Sequence, residues 1–213
     1  MTDQPKTRRW DPLVKITHWG IAAVVLWNAL IVGEGSAAHI YAGYVLAGLL
    51  ALRLLWGVIG TRPARFSAFP PSPARALAHI RAIRAGEHER HVSHNPLGAL
   101  MAYAIWGTVS VIVASGIAMA GAPPAIAPGT TVAQLMDSEA GDHEGAAETG
   151  EHGGEQDRDG EEKGDGAGEV FEDVHEVAVN LLYVLILLHI GGVAFETARS
   201  GRRTILAMLP GGK

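Results

Sequence analysis

The sequence predicts an all-α membrane protein, a transmembrane four-helix bundle with both termini cytoplasmic. Three observations carry this reading. Four runs are long and apolar enough to cross a bilayer, which takes about 20 residues of helix each. Lys and Arg gather in the N-terminal arm, the middle link and the C-terminal tail, and a four-span chain places these three on one side. Composition agrees, with 48% hydrophobic and only 18% charged residues in a chain of 213.

The first run is about Leu13 to Val32. A cleaved signal peptide is its rival reading, with the following GEGSAA as a small-residue cleavage region. The run is longer than a usual signal core, however, and its histidine has matching partners downstream. The second run is His39 to Gly60, and the shortness of the GEGSAA link makes the two antiparallel neighbours. The third, Pro96 to Gly121, carries no charge, and Asn95-Pro96 supplies a cap followed by a residue suited to the first helical turn. The fourth is about Val174 to Phe195. The organisation expected is therefore a membrane bundle over 1–136 that includes a cytoplasmic link at 61–95. An acidic outer loop at 137–173 follows, then the fourth helix and a cytoplasmic tail at 174–213.

Within the link, SPARALAHIRAIRAG predicts a short helix: Ser72 can cap, Pro73 suits the first turn and Gly86 can end it. Leu77, Ile80 and Ile83 share a loose apolar face with arginines around them, as in an interfacial helix on anionic lipid. The outer loop holds 15 acidic and 2 basic side chains, against 7 and 15 in the rest of the chain. It is rich in Gly, Glu and Asp and nearly free of large apolar groups, which predicts disorder.

Histidines carry the chemistry. His175 and His189 lie fourteen residues apart in VHEVAVNLLYVLILLHIGGVAF. On a helix that is about 21 Å of rise, with the two side chains within about 40° of each other around the axis. His18 and His39 lie in the first and second runs. With the topology fixed, depth pairs His18 with His189 near the inner surface and His39 with His175 near the outer one. Ionisable groups in lipid are costly and invite a functional explanation. Two pairs, each joining two helices at one level, suit two haems held by axial nitrogens. The chain has no cysteine, which excludes disulfides, thiolate-held clusters and covalent haem attachment, so such haems are b-type. Of the other histidines, His79, His88, His91 and His94 are expected to be solvated or to face headgroups. His143 and His152 could bind a metal weakly with nearby carboxylates.

Arg53 lies fourteen residues after His39, near the level of the inner pair. It has two readings, a partner for haem propionates or a long side chain snorkelling to the surface. Trp56 and Trp106 are interface anchors or haem-packing groups.

The blocks THW at 17–19, HIYAGYVLAGLLALRLLWG at 39–57, SHNPLGALM at 93–101 and HEVAVNLLYVLILLH at 175–189 resemble the bacterial cytochrome b-561 family. Its superfamily includes the cytochrome b subunits of nickel hydrogenases. The resemblance covers nearly the whole chain except the acidic loop. It implies a multi-pass inner-membrane bundle with two b haems in quinone-linked respiratory electron transport, and its ligand positions fall on His18, His39, His175 and His189. The acidic stretch departs from the shortest members and leaves the partner open.

Three functions follow as expectations. The first is a di-haem carrier between membrane quinone and a redox partner, such as a basic soluble cytochrome drawn to the acidic loop or a larger redox complex. The second is an enzyme in its own right, oxidising superoxide and reducing quinone. The third, of a different class, is a metal-binding membrane transporter using the histidines and the acidic loop.

Overall fold

The computed structural model describes residues 11–86, 95–137 and 162–200. These residues form six α-helices and no strand: α1 Pro12–Leu30, α2 Ala37–Ile59, α3 Pro73–Arg84, α4 Pro96–Ala120, α5 Val132–Asp137 and α6 Glu162–Ser200. Two short 3₁₀ turns, Arg62–Ala64 and Phe66–Ala68, precede α3. Helices α1, α2, α4 and α6 each have the length and apolar composition to cross a membrane.

Local chemistry sets where these helices begin and end. Asp11 caps α1, its Oδ1 accepting from Leu13 N at 2.9 Å, and Pro12 follows at the position where a missing N–H costs nothing. Ser36 caps α2: its Oγ accepts from His39 N at 3.2 Å and donates to Gly33 O at 2.8 Å. Gly35 in that link has φ +73°, a left-handed conformation that favours glycine. Ser72 caps α3 by accepting from Arg75 N at 3.3 Å, and Gly86 with φ +78° ends it, as the sequence predicts. Asn95 Oδ1 accepts from Gly98 N at 2.6 Å to start α4.

Large apolar side chains remain on the outside of these helices. Leu30, Leu187 and Val177 are 77%, 71% and 67% exposed. A water-soluble monomer seldom leaves so much apolar surface uncovered, whereas lipid is its natural solvent.

The chain divides into two compact units, and each contains a stretch of all four long helices. The first unit comprises 1–21, 49–107 and 182–213, and the second 22–48 and 108–181. In the first unit the core includes Val14, Leu50, Ala99 and Leu182, together with Ala64 and Phe69 from the link. Phe66 lies so close to α2 that a Cβ at Gly57 would collide with its ring. The link is thus packed structure in its first half. In the second unit Leu46, Val109 and Ala178 are buried. There Tyr41 donates to the carbonyl of Pro124 and Tyr44 to that of Gly121, fixing the segment after α4 to α2.

Two readings of the sequence need correction. On α3 the side chains turned inward are Ala76 and His79, at 3% and 7% exposure, while Leu77 is 49% exposed. His79 is therefore a buried histidine, neither solvated nor facing headgroups; it lies one turn from Ala76, on the face that Ile80 and Ile83 extend. The other correction concerns α6, which begins at Glu162, twelve residues before the start expected at Val174. The apolar span is already helical, so adding turns to its end avoids the cost of nucleation. His88, His91, His94, His143 and His152 lie outside the described residues, as does most of the acidic loop.

Candidate haem-binding sites

Each unit contains one of the histidine pairs. In the first, α1 carries His18 and α6 carries His189, and their ring centroids lie 6.2 Å apart at an interplanar angle of 63°. In the second, α2 carries His39 and α6 carries His175, with 6.3 Å and 62°. The structure thus brings together the pairs that depth arithmetic selects.

The separation has a chemical meaning. A first-row metal bonds an imidazole nitrogen at about 2 Å, and a ring nitrogen lies roughly 1.1 Å from its ring centre, so two imidazoles on opposite faces of one metal have centroids about 6.3 Å apart. Both pairs have that spacing. Among the described residues no three His, Cys, Asp or Glu side chains come together as a metal site. Two protein nitrogens are too few to satisfy a bare ion of this kind, but they complete a metal whose other positions a porphyrin fills. The residues present therefore fit haem.

The second pair has a tether. Ser115 on α4, only 4% exposed, places its Oγ 3.0 Å from His175 Nδ1. The same hydroxyl donates to the carbonyls one turn back, at 2.8 Å to Val111 O and 3.2 Å to Ile112 O. Its neighbour Gly116 lies against the ring: a Cβ there would stand 3.2 Å from His175 Cε1. His39 has the N3 place on α2, where its backbone N–H meets the Ser36 cap, and its Nδ1 is buried without a hydrogen-bond partner.

The first pair has different company. His18 meets the edge of Trp19 at 5.5 Å. Thr17 beside it is fully buried and bonds back to Leu13 O at 2.9 Å, a way of hiding a hydroxyl in an apolar helix. In the same unit Arg53 is only 4% exposed, with its guanidinium carbon 4.6 Å from the centroid of the Trp106 ring. That is cation–π range. Trp106 belongs to an aromatic cluster with Phe66, Phe69 and Tyr103, at centroid distances of 5.4 to 6.2 Å. This places Trp106 under Arg53 rather than in the role of a surface anchor. Arg53 Nη1 is buried and has no hydrogen-bond partner, so Arg53 does not snorkel to the surface. A buried cation with an unused donor is costly unless an anion meets it, and a haem propionate is such an anion.

Asp11 lies at the end of the first unit. Its Oδ2 accepts from Thr61 Oγ1 at 2.7 Å while Oδ1 caps α1. Burial alone would raise its pKa, but the hydrogen bonds from Thr61 and the α1 backbone outweigh this and hold the carboxyl below the usual range. The Trp56 indole beside the same carboxylate lowers it further, although its buried Nε1 falls short of full hydrogen-bonding geometry.

Four-span helical architecture with paired membrane histidines defines a class, the membrane-bound b-type cytochromes. Comparison gives the family: the model for prokaryotic cytochrome b561 matches residues 9–211, and the chain belongs to that family. It is accordingly a multi-pass membrane cytochrome of haem-based electron transport. Neither a curated protein nor a solved structure matches the chain.

Proposed function

We propose that the protein carries two b haems, one held by His18 and His189 and the other by His39 and His175, and moves electrons between membrane quinone and a redox partner. The observation that supports this most directly is the pair of centroid separations, 6.2 and 6.3 Å, each matching two imidazoles on one iron. When bound, a b haem supplies a one-electron iron couple whose potential the surroundings tune. The chain's own residues determine what that couple can do. Each pair of histidines would hold a haem iron through two imidazole nitrogens, a donor set that suits electron transfer rather than oxygen binding. Arg53, buried with a free donor, would pair with a propionate in the first unit and supply a positive field there. The apolar outer faces of the helices keep both sites in a low-dielectric surround.

The Lys and Arg distribution supports placing both termini on the cytoplasmic side of the inner membrane, with the acidic stretch outside. There the stretch would attract a basic soluble cytochrome and would repel a small anion such as superoxide. This favours a carrier over a superoxide-oxidising enzyme.

The test is haem stoichiometry by reduced-minus-oxidised spectra and extraction. The purified protein is expected to hold two b haems per chain. His175→Ala and His189→Ala are each expected to lose one, leaving the other spectrally intact. Near-full haem content in both variants would overturn the assignment.

A further inference from the structure

Ser115 interrupts an apolar helix, is almost wholly buried, and spends its polar atom on a histidine of another helix. A serine hydroxyl has one proton to give. The carbonyls of Val111 and Ile112, at 2.8 and 3.2 Å, take it, as is usual for serine in a membrane helix. The oxygen then faces His175 Nδ1 at 3.0 Å with only lone pairs, so the proton in that contact belongs to the imidazole. This contact selects one tautomer. Nδ1 carries hydrogen, and Nε2 is left with its lone pair for a metal.

Gly116 makes the fit close. With Gly116 against Cε1 and Ser115 on Nδ1, two adjacent residues of α4 constrain the ring on two sides. His39, its partner, has nothing comparable on Nδ1. The two imidazoles of this pair are therefore unequal donors.

We infer that Ser115 is a positioning residue for His175, one that fixes its tautomer and ring orientation and lowers the potential of the haem held by His39 and His175. This rests on the haem assignment proposed above. The direction follows from basicity: an acceptor on the distal N–H makes an imidazole a stronger donor, and a stronger donor favours the ferric iron.

The experiment is a spectroelectrochemical titration of the full-length, haem-loaded protein in detergent, as wild type and as Ser115→Ala, Ser115→Thr and Ser115→Cys. His175→Ala identifies which couple belongs to this pair. Ser115→Ala is expected to raise that midpoint while leaving the other haem unchanged. One net hydrogen bond changes an equilibrium by a factor of roughly 2 to 12; tenfold is about 59 mV for a one-electron couple. Ser115→Thr keeps the acceptor and is expected to restore the wild-type value, with Ser115→Cys in between. The low-spin ferric EPR signal of this haem should move in the same order. An unchanged midpoint and EPR signal in Ser115→Ala would overturn the inference. So would loss of the haem in Ala, Thr and Cys variants alike, since that pattern reports packing rather than an acceptor. Loss in Ala with retention in Thr would support it. Failure of the haem assignment gives a different result: His175→Ala itself would then leave haem content unaltered.

Discussion

His18 with His189 and His39 with His175 have nearly the same internal geometry, at 6.2 and 6.3 Å and 63° and 62°, but their surroundings differ in kind. In the first unit the distinguishing group is a charge: Arg53, buried over Trp106, with Nη1 unpaired. In the second it is a neutral hydroxyl, Ser115, bonded to one of the imidazoles. A charge acts through space on the whole cofactor, whereas a hydroxyl on the ligand acts through the bond to the metal. On the proposed assignment, two sites with one ligand set would thereby have different potentials.

The largest expected effect of removing either device is at Arg53. Arg53→Leu is expected to lower the midpoint of the haem held by His18 and His189, because a nearby cation favours the reduced, less positive iron. At an effective dielectric near 20 the loss of one charge about 10 Å away is worth on the order of 1–2 kcal/mol, or about 40–90 mV. Arg53→Lys should recover part of the shift, since it restores charge without the planar fork. Redox titration of both haems checks this. An unchanged midpoint at His18 and His189 would show that the guanidinium serves packing on Trp106 alone.

How much of this contrast the sequence disclosed differs between the two units. The four histidines and Arg53 were visible because titratable side chains in apolar runs are conspicuous. Spans and caps were visible too, since Ser72, Gly86 and Asn95 act within a few residues of themselves. Ser115 and Gly116 carry no such local signal. A serine and a glycine in a membrane helix are ordinary residues, and their role depends on which face of α6 they meet, sixty residues away. A serine followed directly by a glycine in a largely apolar helix is the available signal. The burial of His79 is hidden for the same reason: it depends on long-range packing, and the local charge points the other way. The aromatic cluster of Phe66, Phe69, Tyr103 and Trp106 joins the link to α4, and no local pattern announces it.

A smaller effect separates the units through glycine. A Cβ at Gly20, two residues after His18, would stand 3.1 Å from a methyl of Leu49, the movable end of a flexible side chain. A Cβ at Gly116 would stand 3.2 Å from His175 Cε1, on a ring whose Nδ1 is already tied to Ser115. Alanine favours helix over glycine by about 1 kcal/mol, which offsets a minor clash. Gly20→Ala is therefore expected to be close to neutral in thermal stability and to leave both haem spectra unaltered. Gly116→Ala is expected to displace the His175 ring by a few tenths of an ångström and to alter only the EPR signal of its haem. Equal responses from the two variants would mean that the imidazole in the second unit is no more tightly held than the leucine in the first.

The smallest effect concerns the caps. The first unit starts α1 on a carboxylate, Asp11, while the second starts α2 on a neutral serine, Ser36. Only the first can respond to acid. Asp11 has its carboxyl held below the ordinary range: burial opposes this, but the hydrogen bonds from Thr61 and the backbone of Leu13 and Val14 prevail. A depressed carboxyl contributes stability that is fully present above its unfolded value near 4 and is lost as pH falls through the lower folded value. Asn caps a helix about as well as Asp, so Asp11→Asn removes the charge and spares the cap, whereas Asp11→Ala removes both at a cost of about 1 kcal/mol. At pH 7 the order of thermal stability is expected to be wild type, then Asn, then Ala, read from the Soret band of the haem held by His18 and His189. On acidification the gap between wild type and Asn should close below about pH 4, while the gap between Asn and Ala should persist, since an amide does not titrate. The Soret band of the other haem should show no such pH-dependent gap. A difference between wild type and Asp11→Asn that survives at low pH would trace the effect to shape at the Thr61 contact rather than to the carboxylate charge.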